Sequence, residues 1–421
     1  MSVFNSGCCT TVSGTGVQPI NFGYSTLTDA FGRLRVSQPY TLFDSQQRFG
    51  LDTTFVSNVA SGGSITYVEY QSTANLTVTN TAGSFASRET KQIFQYQPGK
   101  SLLILATFVM APISSGNLRQ RVGYFGISNG MFLELSDQLY IVRRSNSTGS
   151  ISNTYVPQSA WNYDKMDGTG PSGFTLDITT SQIWWSDFEW LGVGNVRVGF
   201  VLNGQFCPCH IFQHANYAKY AYITTACLPI RYEIQSLTSS GPASSNLLQI
   251  CSTVISEGGY DPPLTLYSNV SVFTSSMTAG VWYPAISIRL VQSRLEGIVS
   301  IRQVDVGVSG TDIIQWALWS NVSAGNLTGG AWAPHYSSSM VEVLANATAF
   351  TTTGCYQVAS GIIVGTNQTG STTALSLDRY FSKIGRNSFT NTSDIFTLAL
   401  YNTAASTNPK IISLLSWNEV L

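Results

Sequence analysis

The stretch Ile183–Asn216, which reads IWWSDFEWLGVGNVRVGFVLNGQFCPCHIFQHAN, decides the fold class. From residue 196 to 202 every second residue is apolar, which is the period of a strand that buries one face. Asn203-Gly204 follows, and a second extended run continues from 205 to 212. Because a type I′ turn needs positive φ at both central residues, Asn-Gly between two such runs predicts a hairpin. We therefore predict that residues 196–212 form the central hairpin of a β-sandwich, anchored by the aromatic residues Trp184, Trp185, Phe188 and Trp190.

Composition restricts the class of protein. Charged residues make up 10% of the 421-residue chain, against roughly 25% in typical soluble domains. Hydrophobic residues reach 43% and aromatic residues 12%, so the chain can bury a core and is not expected to be disordered. The net charge is −1 and no basic run is interleaved with aromatics, which predicts neither a nucleic-acid nor a membrane partner. The composition is typical of extracellular β-proteins and virus shells.

Short alternating runs separated by turn residues recur along the chain without a helical pattern between them. This arrangement predicts an all-β fold with two β-sandwich or jelly-roll-like domains and an extended N-terminal arm. The arm comprises residues 1–36, the first domain residues 37–245 and the second domain residues 246–421. Within the first domain, the Gly-rich segment 145–172 is predicted to be a loop.

Two thiols and two imidazoles lie close together in Cys207-Pro-Cys209-His210 and His214. Four such groups could bind zinc, but structural zinc sites space their cysteines by two or more residues. On a strand, Cys207 and Cys209 also lie on the opposite face from His210. Buried thiols and ordinary histidines are therefore favoured over a metal site, and no metal or other cofactor is predicted.

Two sets of carboxylates are candidate sites. Asp187 and Glu189 lie on one face of a strand beside several Trp rings, and paired carboxylates with aromatic walls are typical of glycosidases. Neighbouring side chains on one strand are, however, usually too close together and too parallel to flank a glycosidic bond. A polar strand face or a subunit contact is favoured, and the pair is kept as a weak alternative catalytic pair. Asp164, Asp167 and Asp177 lack the regular spacing of a calcium loop. No nucleophile elbow, zincin or P-loop motif is present, so no catalytic residue is predicted.

Four segments together resemble a family of virion structural proteins. They are DAFGRLRVSQPYTLFD (29–44), GMFLELSDQLYIVRRSN (130–146), WNYDKMDGTGPSGFTLD (161–177) and DFEWLGVGNVRVGFVLNGQF (187–206). The family is found in tailed phages of marine and cyanobacterial hosts and in related large DNA viruses, and the resemblance spans roughly residues 29–235. It implies a location in the virion and supplies no catalytic residues.

The sequence thus predicts a non-enzymatic virion protein, a capsid-associated, tail or fibre component that is made in the host cytoplasm and assembled into the particle. Its partners would be other virion proteins and copies of itself, most simply as a homotrimer, with the arm docked on a neighbour. The alternative is a tail module that binds host-surface glycans, with Trp316, Trp319 and Trp332 as candidate aromatics. A polysaccharide depolymerase that uses Asp187 or Glu189 is the third hypothesis.

Overall fold

The computed structural model describes residues 36–420, apart from 115, 262–265, 366–369, 372–374, 377–382 and 405–409. Throughout these residues the regular structure is β-strand with single 3₁₀ turns, which confirms the all-β prediction. The 3₁₀ turns are Glu69–Gln71, Gln158–Ala160, Gln292–Arg294 and Ala324–Asn326. In this part of the chain, no helix has the length and apolar character needed to cross a membrane.

The first half of the chain forms two antiparallel sheets. Sheet 1 has the order β13-β12-β11-β6-β15-β4-β3, with β1 also on β15, and sheet 2 has the order β10-β9-β8-β7-β14-β5-β2. The strands are β1 (Tyr40–Gln46), β2 (Phe55–Ala60), β3 (Ser64–Val68), β4 (Thr73–Thr79), β5 (Phe85–Thr90), β6 (Leu102–Val109), β7 (Leu118–Phe125), β8 (Gly130–Leu135), β9 (Leu139–Ser145), β10 (Ser152–Pro157), β11 (Gln182–Phe188), β12 (Val196–Leu202), β13 (Gln205–Phe212), β14 (Ile230–Ser236) and β15 (Ser244–Ser256).

The predicted hairpin is confirmed, but its predicted central position is wrong. Strands β12 and β13 pair from Val196↔Phe212 to Leu202↔Gln205, and the connecting residues Asn203 and Gly204 have φ values of 49° and 79°. Both signs are those of a type I′ turn. The hairpin forms one edge of sheet 1, beside β11.

Alternation along the strands builds the core of this first sandwich. In β6, the side chains of Leu102, Ile104, Ala106 and Phe108 are buried while those between them are half-buried. One face of each sheet therefore packs on the other sheet, and the second face of sheet 1 is left to carry other groups.

The second half forms a second pair of sheets with its own core around Trp316, Leu398 and Trp417. Their orders are β16-β30-β18-β25, with β26 also on β18, and β21-β22-β17-β29-β19-β24; β20-β23 and β27-β28 are short pairs. The strands are β16 (Leu266–Phe273), β17 (Trp282–Leu290), β18 (Ile298–Ser309), β19 (Ile313–Val322), β20 (Leu327–Thr328), β21 (Ala333–Pro334), β22 (Val341–Leu344), β23 (Ala349–Phe350), β24 (Tyr356–Val364), β25 (Gly370–Ser371), β26 (Leu375–Ser376), β27 (Arg386–Asn387), β28 (Thr392–Ser393), β29 (Ile395–Asn402) and β30 (Lys410–Val420).

The predicted boundary between the two domains is displaced in the structure. The boundary between residues 245 and 246 falls inside β15, which pairs with β1, β4 and β6, so the first sandwich continues through Ser256. Residues 236–246, SLTSSGPASSN, have the composition of a linker, but the last three of them belong to β15 of sheet 1. The predicted arm, residues 1–36, lies outside the described residues except for Val36.

Candidate functional site

Strand β11 divides its side chains between the core and the outer face of sheet 1. Trp184 and Phe188 are in the hydrophobic core, so Trp185 and Asp187 lie on the opposite face. The register pairs Asp187 with Arg197 on β12 and with Leu103 on β6. We name the outer surface over β13, β12, β11, β6 and the end of β15 the sheet 1 outer face.

A cavity of about 380 Å³ on this face has aromatic walls. The ring of Trp185 is 4% exposed and forms the floor, and its indole N–H donates to the carbonyl oxygen of Phe200 at 3.1 Å. Phe206 meets it edge-on, with ring centroids 5.4 Å apart. Phe206 and Tyr163 are each about half exposed, so both offer ring surface to a ligand.

A second cavity, of about 450 Å³, adjoins the first and is more polar. It is lined by Lys100, Ser101, Glu189 and Asn195, together with the ring of Tyr96. The ammonium group of Lys100 donates to Asp261 at 2.5 Å and to Gln97 at 2.9 Å. This cavity therefore offers hydrogen-bonding groups where the first offers rings.

Asp187 and Arg197 line both cavities and separate them. The Nε of Arg197 donates to Oδ2 of Asp187 at 2.8 Å, and its Nη2 donates to the same oxygen. Burial raises the pKa of the Asp187 carboxyl above its usual range; Arg197 opposes that shift, while Glu257 and Glu189 add to it. A ligand that spans both cavities would cross this ion pair.

Glu257 enters the face from the end of β15. Leu103 pairs with both Asp187 and Ile255, so these residues form one row across three strands. Glu257 follows Ile255 by two residues and therefore lies on the same face. The hydroxyl of Ser101 donates to the Glu257 carboxylate, and the Glu257 amide donates to the carbonyl of Ser101 at 2.9 Å.

The loop 189–195 at the end of the face is held in a strained conformation. Leu191 has φ of 81°, in the left-handed region that costs a bulky residue free energy. Three side chains brace the loop: Tyr222 donates to the carbonyl of Glu189 at 3.0 Å, Trp190 donates to that of Ile223 at 2.9 Å, and His214 contacts that of Gly194 at 2.7 Å. Glu189 and Asn195 are thereby fixed at the rim.

His214 is a structural group. Arginine can only donate, so the Nη1 of Arg143, 2.9 Å from Nε2 of His214, makes that nitrogen the acceptor. Nδ1 then carries the proton and donates to Gly194, and the imidazole is neutral. Its ring stacks on Tyr222 with centroids 3.9 Å apart. Burial lowers the pKa of His214, and Arg143 adds to that shift.

The cysteines predicted as buried thiols are placed by strand β13. Cys209 is buried in the core, which raises the pKa of its thiol, and Cys207 packs against the core from the side. His210 accepts from the amide of Asn162 at 3.3 Å, and burial lowers its pKa to about 4. Within the described ranges, no group of three or more His, Cys, Asp and Glu side chains is arranged to hold a metal ion.

The carboxylates of Asp164, Asp167 and Asp177 accept hydrogen bonds from nearby backbone amides. Asp164 accepts from the amides of Met166 and Ser172, Asp167 from that of Thr169, and Asp177 from that of Thr179. These are turn-stabilising bonds made by each carboxylate separately, and they explain why the aspartates occur there.

The three tryptophans predicted as glycan-binding aromatics lie in the second sandwich, away from the sheet 1 outer face. Trp316 is 3% exposed in the core, which removes it from the candidates because its ring cannot meet a ligand. Trp319 and Trp332 are half-buried against a small cluster with Phe350, and Trp332 also lies under Arg289 at 4.2 Å. The rings of all three tryptophans therefore take part in core packing of the second sandwich.

The predicted carboxylates do meet on one face, with Asp187 buried and Glu189 exposed. Sequence reasoning missed Arg197, Tyr163, Phe206 and Glu257. Alternation from Trp185 to Asp187, extended through the hairpin register, could have found Arg197 and Phe206. Glu257 and Tyr163 reach the face from distant parts of the chain, and no local pattern marks them.

Comparison with known proteins yields distant structural likeness alone. No family model and no curated protein matches the chain. An endo-1,3-beta-glucanase from Streptomyces sioyaensis is 9% identical, with 52% of this chain and 97% of that one covered at a TM-score of 0.38. The carbohydrate recognition domain of Emp47p is 11% identical, with coverages of 55% and 100% at 0.34. A Shewanella oneidensis MR-1 protein of unknown function is 10% identical, with coverages of 57% and 94% at 0.34.

Proposed function

We propose that the chain is a glycan-binding protein and that the sheet 1 outer face is its binding site. The observation that carries the proposal is the meeting of two cavities at the Asp187–Arg197 ion pair, one with aromatic walls and one with polar walls. Ligand sites are concave, with apolar and aromatic walls and a few fixed polar groups that orient the ligand.

Binding of a sugar requires both an aromatic surface and fixed polar groups. The C–H face of a pyranose is apolar and packs on an aromatic ring, for which Phe206 and Tyr163 are exposed. The hydroxyl groups of a sugar both donate and accept hydrogen bonds. The carboxylate of Asp187 can accept from them, and the guanidinium group of Arg197 can donate to them. The ion pair holds these groups in place before a ligand arrives, so little ordering cost is added on binding.

Binding to a glycan array tests the proposal. Phe206→Ala and Tyr163→Ala are each expected to weaken binding by about tenfold, or ~1.4 kcal/mol, because each removes an exposed ring from the site. Tyr155→Ala is the matched control, since Tyr155 is 44% exposed on β10 in the other sheet. Equal binding by all four proteins would contradict the proposed site.

Cleavage of the bound glycan is a second candidate, favoured by the raised pKa of the buried Asp187 carboxyl beside Glu189 and Glu257. Glycoside hydrolysis uses carboxyl groups whose surroundings separate their pKa values. Release of reducing ends from a bound polysaccharide, abolished in Asp187→Asn, would support it. Binding without release would leave a binding module.

A place in a virion is a proposal that rests on the sequence resemblance. Glycan binding fits that location, since a protein exposed on a particle would meet host-surface glycans. Deletion of residues 1–35 is expected to leave a folded protein that is no longer incorporated into particles. Normal incorporation of the truncated protein would contradict a docking role for the arm.

A further inference from the structure

We propose that the free edge of β16 is a contact between two copies of the chain, which pair there in antiparallel fashion about a two-fold axis and form a dimer. Strand β16, Leu266–Phe273, is the edge of its sheet, and within the described residues it pairs with β30 alone. None of its residues lines either cavity of the sheet 1 outer face, so the proposal does not depend on glycan binding.

The free edge of β16 carries unpaired backbone groups. In an antiparallel sheet, the N–H and C=O groups of successive residues point alternately to one side of the strand and to the other. Half of those in β16 therefore point away from β30, and no hydrogen bond from the described part of the chain satisfies them. The register with β30 runs through all eight residues without a shift, so this row is continuous over about 27 Å. Such a row is a template on which another strand can pair.

Edge strands are normally protected from pairing by charged side chains, proline, bulges or short length. Strand β16 has none of these features, because its sequence LYSNVSVF holds no charge and no proline. The other edge strands of the four larger sheets, as far as the structure describes them, each have at least one. β2 and β3 have six and five residues, β21, β25 and β26 have two each, β1 contains Asp44, β10 ends at Pro157, β13 contains Pro208, and β24 has an extra residue, Val358, opposite Leu318 and Trp319.

The exposed side chains of β16 match those of a second copy of the strand. Leu266, Val270 and Val272 are each more than half exposed, on the face of the sheet that points away from the core. In a pair centred on Asn269, Leu266 lies opposite Val272 of the second copy. Ser268 then lies opposite Val270, so exposed residues meet exposed residues on one face, and the half-buried residues meet on the other.

Two further observations favour a second copy as the occupant of this edge. The Oδ1 atom of Asn269 is buried and has no hydrogen-bond donor among the described residues, which costs free energy. At the two-fold axis it lies beside the same side chain of the second copy, whose Nδ2 can donate to it. No charged residue occurs between Asp261 and Arg289, so the two edges meet without repulsion between like charges. A two-fold contact uses the same edge of both copies, so the assembly closes at two.

Sedimentation equilibrium of the full chain tests the contact, and the parent protein is expected to be a dimer. Ser268→Lys/Val270→Lys is expected to weaken the dimer by at least about tenfold, because each introduced lysine lies opposite another across the axis. Both positions are exposed, and thermal unfolding confirms that the variant is folded. Ser360→Lys/Ile362→Lys, the matched control, makes the same change at exposed positions of the edge strand β24 and should remain a dimer.

Charge reversal tests the register of the pair. Ser268→Glu/Val270→Glu alone should also be weakened, whereas an equimolar mixture of the lysine and glutamate variants should dimerise, since each introduced lysine then faces an introduced glutamate. A mixture that stays monomeric, or a dimer that persists in Ser268→Lys/Val270→Lys alone, overturns the proposal. A parent protein that is monomeric at every concentration, or trimeric, also overturns it, as does loss of the dimer in the β24 variant only.

Discussion

Arg386 of the second sandwich places its Nη1 2.7 Å from Oε1 of Glu89 in the first, with both side chains at most 4% exposed. The pair ends a row of buried charges that crosses the outer face of sheet 2 from β8 to β5. Its ion pairs are Glu134–Arg121, Arg121–Glu233, Glu233–Arg231, Arg231–Glu89 and Glu89–Arg386. Four of these ion pairs lie within the first sandwich, and Glu89–Arg386 extends the row to the second.

Removing Glu89 should therefore destabilise the protein more than removing Arg386. Glu89→Gln leaves the buried guanidinium group of Arg386 without a carboxylate and leaves Arg231 with Glu233 alone, at a cost of about 3–5 kcal/mol. Arg386→Met leaves Glu89 paired with Arg231 and should cost less. Urea unfolding measures both, and a larger loss in Arg386→Met would contradict the arrangement. The exposed substitution Glu69→Gln is the control.

Stability should fall as the pH drops below about 6.5, the ordinary pKa of histidine. Burial lowers the pKa of His210 to about 4 and also lowers that of His214, so between these values the unfolded chain binds more protons than the folded one. The contribution of the two neutral histidines to the free energy of unfolding is present at neutral pH and is lost between about pH 6.5 and pH 4. Melting temperatures of His210→Gln and His214→Gln across this range should fall less steeply than those of the parent protein. Parallel curves would contradict the assignment.

How far the sequence predicts this structure depends on whether the signal is local. Asn203-Gly204 fixes a turn through its own backbone angles, so the hairpin was predictable to the residue. Strand β10, Ser152–Pro157, lies inside the predicted loop 145–172 because its pairing with β9 overrides a weak, Gly-flanked pattern. Strand β15 was split for the same reason, since its partners β1, β4 and β6 lie far away in the chain.

Some features of the candidate site were likewise predictable from local sequence, and others depend on distant parts of the chain. The spacing of Asp187 and Glu189 places both on one strand face, and that was predictable. The burial of Asp187 and the presence of Glu257 depend on β6 lying between β11 and β15, which no local pattern encodes. Trp316 failed as a site marker because large rings serve cores as well as ligands, and its ring is buried in the core of the second sandwich.

The strain at Leu191 predicts an unusual response to glycine. Leu191→Gly relieves a left-handed conformation that costs roughly 1–2 kcal/mol, which offsets the loss of about 0.5–1 kcal/mol from the greater freedom of the unfolded chain. Stability should be unchanged or raised. Val193→Gly, at an exposed neighbour without positive φ, should lower stability by the entropic amount alone. Chemical denaturation compares the two, and equal losses would show that Leu191 is not strained.

The ion pair at the centre of the sheet 1 outer face should respond asymmetrically to mutation. Burial raises the pKa of the Asp187 carboxyl, which means that folding destabilises its ionised form relative to the unfolded chain, and Asp187→Asn should leave stability unchanged or raise it. Arg197→Ala removes the donor that offsets this burial and leaves the carboxylate without its partner, at a cost of about 1–3 kcal/mol. Arg197→Ala should also raise the pKa of Asp187 further, which a pH titration of the Asp187 carboxyl by NMR would measure. If Asp187→Asn is the more destabilising change, the carboxylate is held by favourable interactions that outweigh its burial, and it would then serve to position Arg197 for the ligand.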